Sequence, residues 1–418
     1  MEQRPQKGPV LPLLSCLLTS HQPLLLVLAL GTLHVSLLCV AAEPQQDDPA
    51  VEEPQAPRSD ESDTTQDEKQ KAASEGGGYG ILPIPVFITE PAIGEGFGIV
   101  LALFHPTKDG AQHETLQATT PKAISDTRSE QKPPPVVSGV FGAYTSNGTW
   151  AAGIGHLNNF RRDTIRYAGA LAAADVSSEF YVGGNPFGFR LEGYLTYQDL
   201  RFRLGRSKVF LGGSLMFLDA INAFDVDLGG DVPATILESD FQNAGLAVQL
   251  MYEGRDSLTM PSRGQLFAFG LWRYDEALGG DFDYWNTTLK ALSFHPLHER
   301  FVLGLRLDVT AIDGDPPFFG YPWVKLRGIP ALRYQDELVG AFELEGRYQV
   351  AERWSLLGFV GAGFTSGDLT FSDEDADIDN FGVGARFMAL RSQNVWVGLD
   401  FAKGPEDWAW YIQLNHPW

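Results

Sequence analysis

The sequence predicts an all-β chain: a transmembrane antiparallel β-barrel of sixteen strands, preceded by a signal peptide and a disordered acidic tail. Three observations carry this reading. An export-type apolar segment opens the chain, period-two alternation runs from about residue 81 to the end, and the final segment closes on an aromatic residue. A soluble sandwich also alternates, but it turns its polar face to water and packs large side chains inside. A wide membrane barrel turns its apolar face to lipid and its charges to the lumen. Charged residues make up only 20% of the chain, aromatics 12%, and there are 45 glycines. That balance suits many short strands in close backbone contact better than amphipathic helices.

Residues 1–42 read as a signal peptide: Arg4 and Lys7 precede the Leu-rich stretch Leu24 to Leu38, and Val40-Ala41-Ala42 supplies the small residues of a cleavage site. A retained anchor is the alternative, because Pro23 to Ala42 is about long enough to span a bilayer. Lipoprotein processing at Cys39 is disfavoured by the large Leu38. Both cysteines, Cys16 and Cys39, precede the cleavage point, so the mature chain has neither a disulfide nor a Cys metal site. Residues 43–78 read as a disordered periplasmic tail, with 11 acidic and 3 basic residues between Glu43 and Gly77 and no aromatic. The net charge of -22 excludes nucleic acid as a partner, since phosphate binding needs clustered Lys and Arg.

Residues 79–418 are the barrel. Strands are expected near 81–89, 96–105, 136–145, 149–158, 164–182, 188–204, 208–222, 242–253, 264–275, 283–295, 300–312, 338–350, 353–366, 380–391, 394–403 and 408–418. In one of them Phe301, Leu303, Leu305, Leu307 and Val309 oppose Gly304, Arg306, Asp308 and Thr310. Pro83 and Pro85 interrupt the first segment, so fourteen strands is the alternative. An even count places both termini in the periplasm. The last segment carries Trp408, Trp410, Ile412, Leu414 and Trp418 at alternate positions. Trp410, Ile412, Leu414 and Trp418 match the C-terminal signal by which the barrel assembly machinery recognises outer-membrane barrels for insertion.

Two motifs stand out. Tyr252-Glu253-Gly254-Arg255-Asp256 followed by Pro261-Ser262-Arg263-Gly264 singles out Arg255, Asp256, Pro261 and Gly264 as a turn. An ordinary Pro and Gly turn is the plainer reading. Leu326-Arg327-Gly328-Ile329 lies in the long segment from Asp313 to Glu337. On these two motifs the chain resembles the bacterial surface antigen family, the barrels of the BamA and TamA assembly proteins. The resemblance implies that the first motif is the periplasmic turn between strands eight and nine. It implies that the second is the tip of the sixth extracellular loop, folded back into the lumen. There Arg327 would contact acids on strands twelve and thirteen, a role suited to the guanidinium fork. Glu345 matches the strand-twelve acid. Where the family has a strand-thirteen aspartate, this chain has Gly361, which implies a lost partner, room for water, and space for an introduced aspartate. The family's mechanism also uses a weakly paired seam between first and last strands, near which Pro83, Pro85 and Pro417 remove backbone donors. The polar stretch between signal and barrel is too short for the family's periplasmic POTRA domains, so the chain resembles members that lack them.

The expected function is an assembly or translocation barrel in the bacterial outer membrane, in contact with its lipids and acting with a separate periplasmic partner or as a homo-oligomer. A passive channel or porin is the alternative. No enzyme activity, metal or cofactor is expected. No Gly-x-Ser-x-Gly elbow occurs, Pro296 spoils His295 and His298 as ligands, and Asp373, Asp375, Asp377 and Asp379 lack the glycine and terminal Glu of a calcium loop. Arg190, Glu192, Arg306, Asp308, Glu343, Glu345, Arg347, Arg386 and Asp400 are assigned to the lumen phase. Charges of both signs there point to a hydrogen-bonded, partly plugged interior.

Overall fold

The computed structural model describes residues 80–90, 92–105, 136–161, 163–182, 184–226, 235–369, 377–390 and 395–418. The signal, the acidic tail, and Asp373 and Asp375 of the aspartate-rich loop lie outside them. The strands are β1 (Gly80–Glu90), β2 (Gly94–Phe104), β3 (Val137–Thr145), β4 (Trp150–Phe160), β5 (Ile165–Val182), β6 (Asn185–Arg203), β7 (Val209–Val226) and β8 (Thr235–Glu253). They continue as β9 (Gly264–Tyr274), β10 (Asp283–His298), β11 (Phe301–Asp315), β12 (Leu338–Ala351), β13 (Trp354–Ser366), β14 (Asp377–Leu390), β15 (Val395–Lys403) and β16 (Trp408–Leu414). Each pairs antiparallel with the next, so sixteen strands form one sheet in chain order. β1 and β16 lie side by side, yet no hydrogen-bonded register joins them among the described residues. The sheet is curled into a barrel that its ladder does not close.

The fourteen-strand alternative is not realised. Pro83 and Pro85 sit within β1, opposite Leu101 and Ile99 of β2, and an edge strand is where a missing N–H is tolerated. Both ends of the sheet reach the same mouth. β5 to β8 are the longest strands, at 18 or 19 residues, and β6 and β8 begin earlier than their alternation suggests. Their extra length at the opposite mouth carries charges on the outward face, which broke the apolar pattern. Arg190 and Glu192 belong there, 57% and 59% exposed, with Arg190 Nε donating to Asp175 at 2.6 Å. Their assignment to the lumen is therefore corrected. Phe189, Leu191 and Leu195 face inward instead, because this wall meets an apolar core.

That core is supplied by the segment after β11. Phe318, Phe319, Trp323 and Leu332 are buried against Phe180, Phe189, Leu218, Phe241 and Tyr284 of the wall. Phe318 lies 4.5 Å from both Phe180 and Phe319 between ring centroids. The lumen thus has two halves: an aromatic core against β4 to β11, and a polar network against β12 to β16. On the outer face of the polar half, Phe342, Val360, Phe381, Val383, Leu399 and Phe401 are exposed.

Candidate functional site: a loop and a chain end inside the barrel

The segment between β11 and β12 turns inward as a folded unit. Trp323 and Gln335 form an isolated bridge, and the Val324 N–H donates to Tyr334 O at 3.0 Å. Leu326 and Ile329 are buried with Val324, Val339, Ala341 and Ile378, which seats the motif by apolar packing on either side of its arginine. Gly328 has φ +90, and a Cβ there would stand 2.8 Å from Gly404 N, so only glycine fits the turn.

Both terminal nitrogens of Arg327 are held. Nη1 donates to Asp400 of β15 at 2.9 Å, and Nη2 to Glu345 of β12 at 3.0 Å and also to Glu343. The guanidinium carbon lies 3.4 Å above the Phe359 ring centre, and Asn380 Nδ2 donates to the Arg327 carbonyl at 2.7 Å. Burial opposes the Arg327 charge, but Glu343, Glu345 and Asp400 more than reverse this and hold its pKa above the ordinary arginine value. Asp400 also takes Arg386, at 2.5 and 2.9 Å, with both side chains fully buried.

Glu345 is therefore the partner the resemblance implied, while Glu343 and Asp400 were not assigned this role. Both had been placed on the lumen phase, which was the signal available for them. Gly361 requires a correction. A Cβ there would lie 2.3 Å from Asn380 Oδ1 and 3.1 Å from Leu326 Cδ2, so the position has no room for an aspartate. β13 contributes the Phe359 ring, and the acid beyond the two of β12 comes from β15, two strands further on.

The chain end completes the site. β16 stops at Leu414, and Asn415 adopts a left-handed φ of 62, its amide and side chain both bonded to the Trp396 backbone. His416 Nε2 then meets Glu345 Oε1 at 3.1 Å, and the Trp418 indole N–H donates to Glu343 Oε1 at 2.9 Å. Trp418 packs on Leu292 and Phe294, and Gly304 leaves its space bare. Burial pushes the His416 imidazole down to about 4, against the partly opposing Glu345, so it is neutral at pH 7. Trp418 therefore does not continue the alternation of the last strand, as expected of it. Pro417 cannot extend a ladder, and the indole N–H finds its acceptor inside. Of the remaining residues of that signal, Trp410 is exposed on the outer face, Ile412 is half-buried, and Leu414 packs beside Ile84 and Val100 near β1.

The β8–β9 turn lies beneath this network. Arg255 pairs with Glu253 at 2.7 Å, Asp256 accepts from the Ser262 and Arg263 amides, and Gly264 has φ +96. Pro261 O accepts from Arg347 of β12 at 2.5 Å, and Thr259 O from the His416 N–H at 2.9 Å. Alternate residues of β12 thus hold the loop, the chain end and the turn. Among the described residues no group of His, Cys, Asp or Glu is arranged to hold a metal.

No family model matches the sequence, and no curated protein does. Solved structures do. A BamA from Haemophilus ducreyi lacking POTRA domains 1-3 matches with TM-score 0.56 and 10% identity, over 81% of this chain and 70% of that one. CdiB from Acinetobacter baumannii gives 0.51 and 8%, over 81% and 59%. CdiB from Escherichia coli gives 0.52 and 11%, over 79% and 61%. The chain spans about three fifths of the length of the two CdiB chains. At such identities the likeness is one of fold, and the chain is in architecture a β-barrel of sixteen strands similar to those of BamA and CdiB.

Proposed function

We propose that the chain is a surface-antigen-type barrel of the bacterial outer membrane. On this reading it serves assembly or translocation with a separate periplasmic partner, opening at the β1–β16 seam rather than conducting through its lumen. Its action is mechanical and not catalytic. The observation that carries this reading is the way the inward loop reaches both sides of an unpaired seam. The Gly328 N–H donates to Tyr411 Oη of β16 at 2.9 Å, and the Ala331 N–H to the Glu90 carboxylate of β1 at 3.0 Å. Arg333 adds Glu406, in the turn before β16, at 2.6 Å. A porin has no use for a lumen filled by an aromatic core and a buried ion network.

A double variant, Ile84→Cys with Leu414→Cys, tests the reading, because Leu414 packs against the apolar cluster that includes Ile84 beside the seam. Oxidation should lower the outer-membrane protein content of cells that depend on the variant, and reductant should restore it. Unchanged content with the disulfide formed would contradict seam opening.

A further inference from the structure

The outer wall of β2 to β6 carries a hydrogen-bonded polar cluster that the luminal site does not use. Ser138 Oγ lies 2.8 Å from His105 Nε2 and 2.8 Å from His156 Nδ1. Asn158 Nδ2 follows at 3.3 Å from His156 Nε2. The chain of contacts passes by the Tyr167 ring, 6.2 Å from His156, to Gln198, which accepts from the Tyr167 hydroxyl and donates to Thr196 Oγ1 at 3.2 Å. Gly169 is bare where the phenol crosses, since a Cβ would stand 2.3 Å from Tyr167 Oη.

On β4 and β6 these side chains share the outward phase with apolar residues on both sides. Nearer the mouth that holds the chain ends lie Phe160, Leu200 and Phe202; further from it lie Val140, Ile154 and Leu171, all exposed. His156 stands four residues from Phe160, about 13 Å along the strand at roughly 3.3 Å per residue. The cluster thus runs from the strand ends, where His105 follows β2 and Ser138 opens β3, into the apolar band at His156 and Gln198. Polar side chains facing hydrocarbon are costly and mark sites of interaction. Among the described residues the wall over β12 to β16 has no comparable cluster at this level, and β10 has the pair Ser293 and His295, 2.8 Å apart. Directly beyond the cluster a groove of about 410 Å³ opens on the same wall, lined by Ala152, Ile154, Leu171, Ala173, Tyr194 and Phe217, with Thr196 shared between groove and cluster and the Asp219 carboxylate, which accepts from Gln242, at the end away from it.

From this juxtaposition we infer that the outer wall of β3 to β7 is a binding site for one glycerophospholipid of the periplasmic leaflet. The cluster receives its phosphate and ester oxygens, and the groove receives an acyl chain. Hydroxyl, imidazole and amide donors suit those oxygens without placing a formal charge in the bilayer. The order along the wall, polar toward the mouth and apolar toward the bilayer middle, follows the polarity of a lipid in that leaflet. The site rests on the membrane-embedded reading of the barrel.

Native mass spectrometry of the full chain in a mild detergent, titrated with phosphatidylethanolamine, tests it. The wild type should carry one lipid. Ala173→Phe, which fills the groove without touching the cluster, and Ser138→Ala with His156→Leu should each weaken retention about tenfold, near one lost charge-assisted contact or a displaced chain. Val383→Phe on the far wall should change nothing. Equal retention by all four proteins would overturn the site, as would a dimer that Ala173→Phe dissociates, which would make the surface a protein interface. Failure of the wild-type chain to enter membranes at all would instead overturn the membrane reading beneath it.

Discussion

At the residue scale, Arg327 and its three carboxylates decide the interior. A buried ion network gains little over apolar packing when intact but is costly to break, because a charge is then stranded. Arg327→Ala or Glu345→Gln should each cost about 3 to 5 kcal/mol, with the double variant less damaging than the sum, as read by denaturant unfolding in detergent. Strict additivity would place the pair outside one network. Gly361→Asp should destabilise and expose the loop to added protease, since the position is already filled by Asn380 and Leu326. The arginine and Glu345 were legible because a motif and a strand phase pointed to them. Asp400 was not assigned as a partner because nothing in spacing says that an acid on β15 replaces one on β13.

His416 gives the site a pH dependence whose sign follows from its burial. Its folded pKa, about 4, is below the ordinary histidine value, so the unfolded chain takes up the proton first. Stability should therefore be full above about pH 6.5 and fall as the pH drops toward 4, the window between the two values. His416→Gln should flatten the thermal midpoint across that window; an unchanged slope would assign the effect to other groups.

At the scale of elements, all sixteen strands form where their alternation placed them, and the departures in length occur where solvent or the chain end takes over. β6, β7 and β8 outgrow the apolar band, so their far ends read as loops, while β5 was expected at its full length. β16 stops short because Asn415 accepts a left-handed turn and Pro417 cannot pair. Outward positions in the band should reject charge. Leu305→Arg or Leu344→Arg, paired across β11 and β12, should cost roughly 2 to 4 kcal/mol, while Thr310→Ser should be mild. Equal tolerance of arginine on both faces would reject the outward assignment. Removing Asn415–Trp418 should free Glu343 and Glu345 from their second partners and quicken proteolysis of the 316–337 loop.

At the scale of the molecule, the loop, the chain end and the β8–β9 turn converge on β12 and fill what would otherwise be a pore. The sequence showed charges of both signs in the lumen phase, which pointed to a plug. It did not show the aromatic half of that plug, because Phe318, Phe319 and Trp323 sit in a segment without periodicity. Planar-bilayer recording of the wild type beside Arg327→Ala tests the plug most directly. The wild type should show low, brief openings, and the variant larger and longer ones as the loop is released. A stable open conductance in the wild type, unchanged by Arg327→Ala, would contradict it.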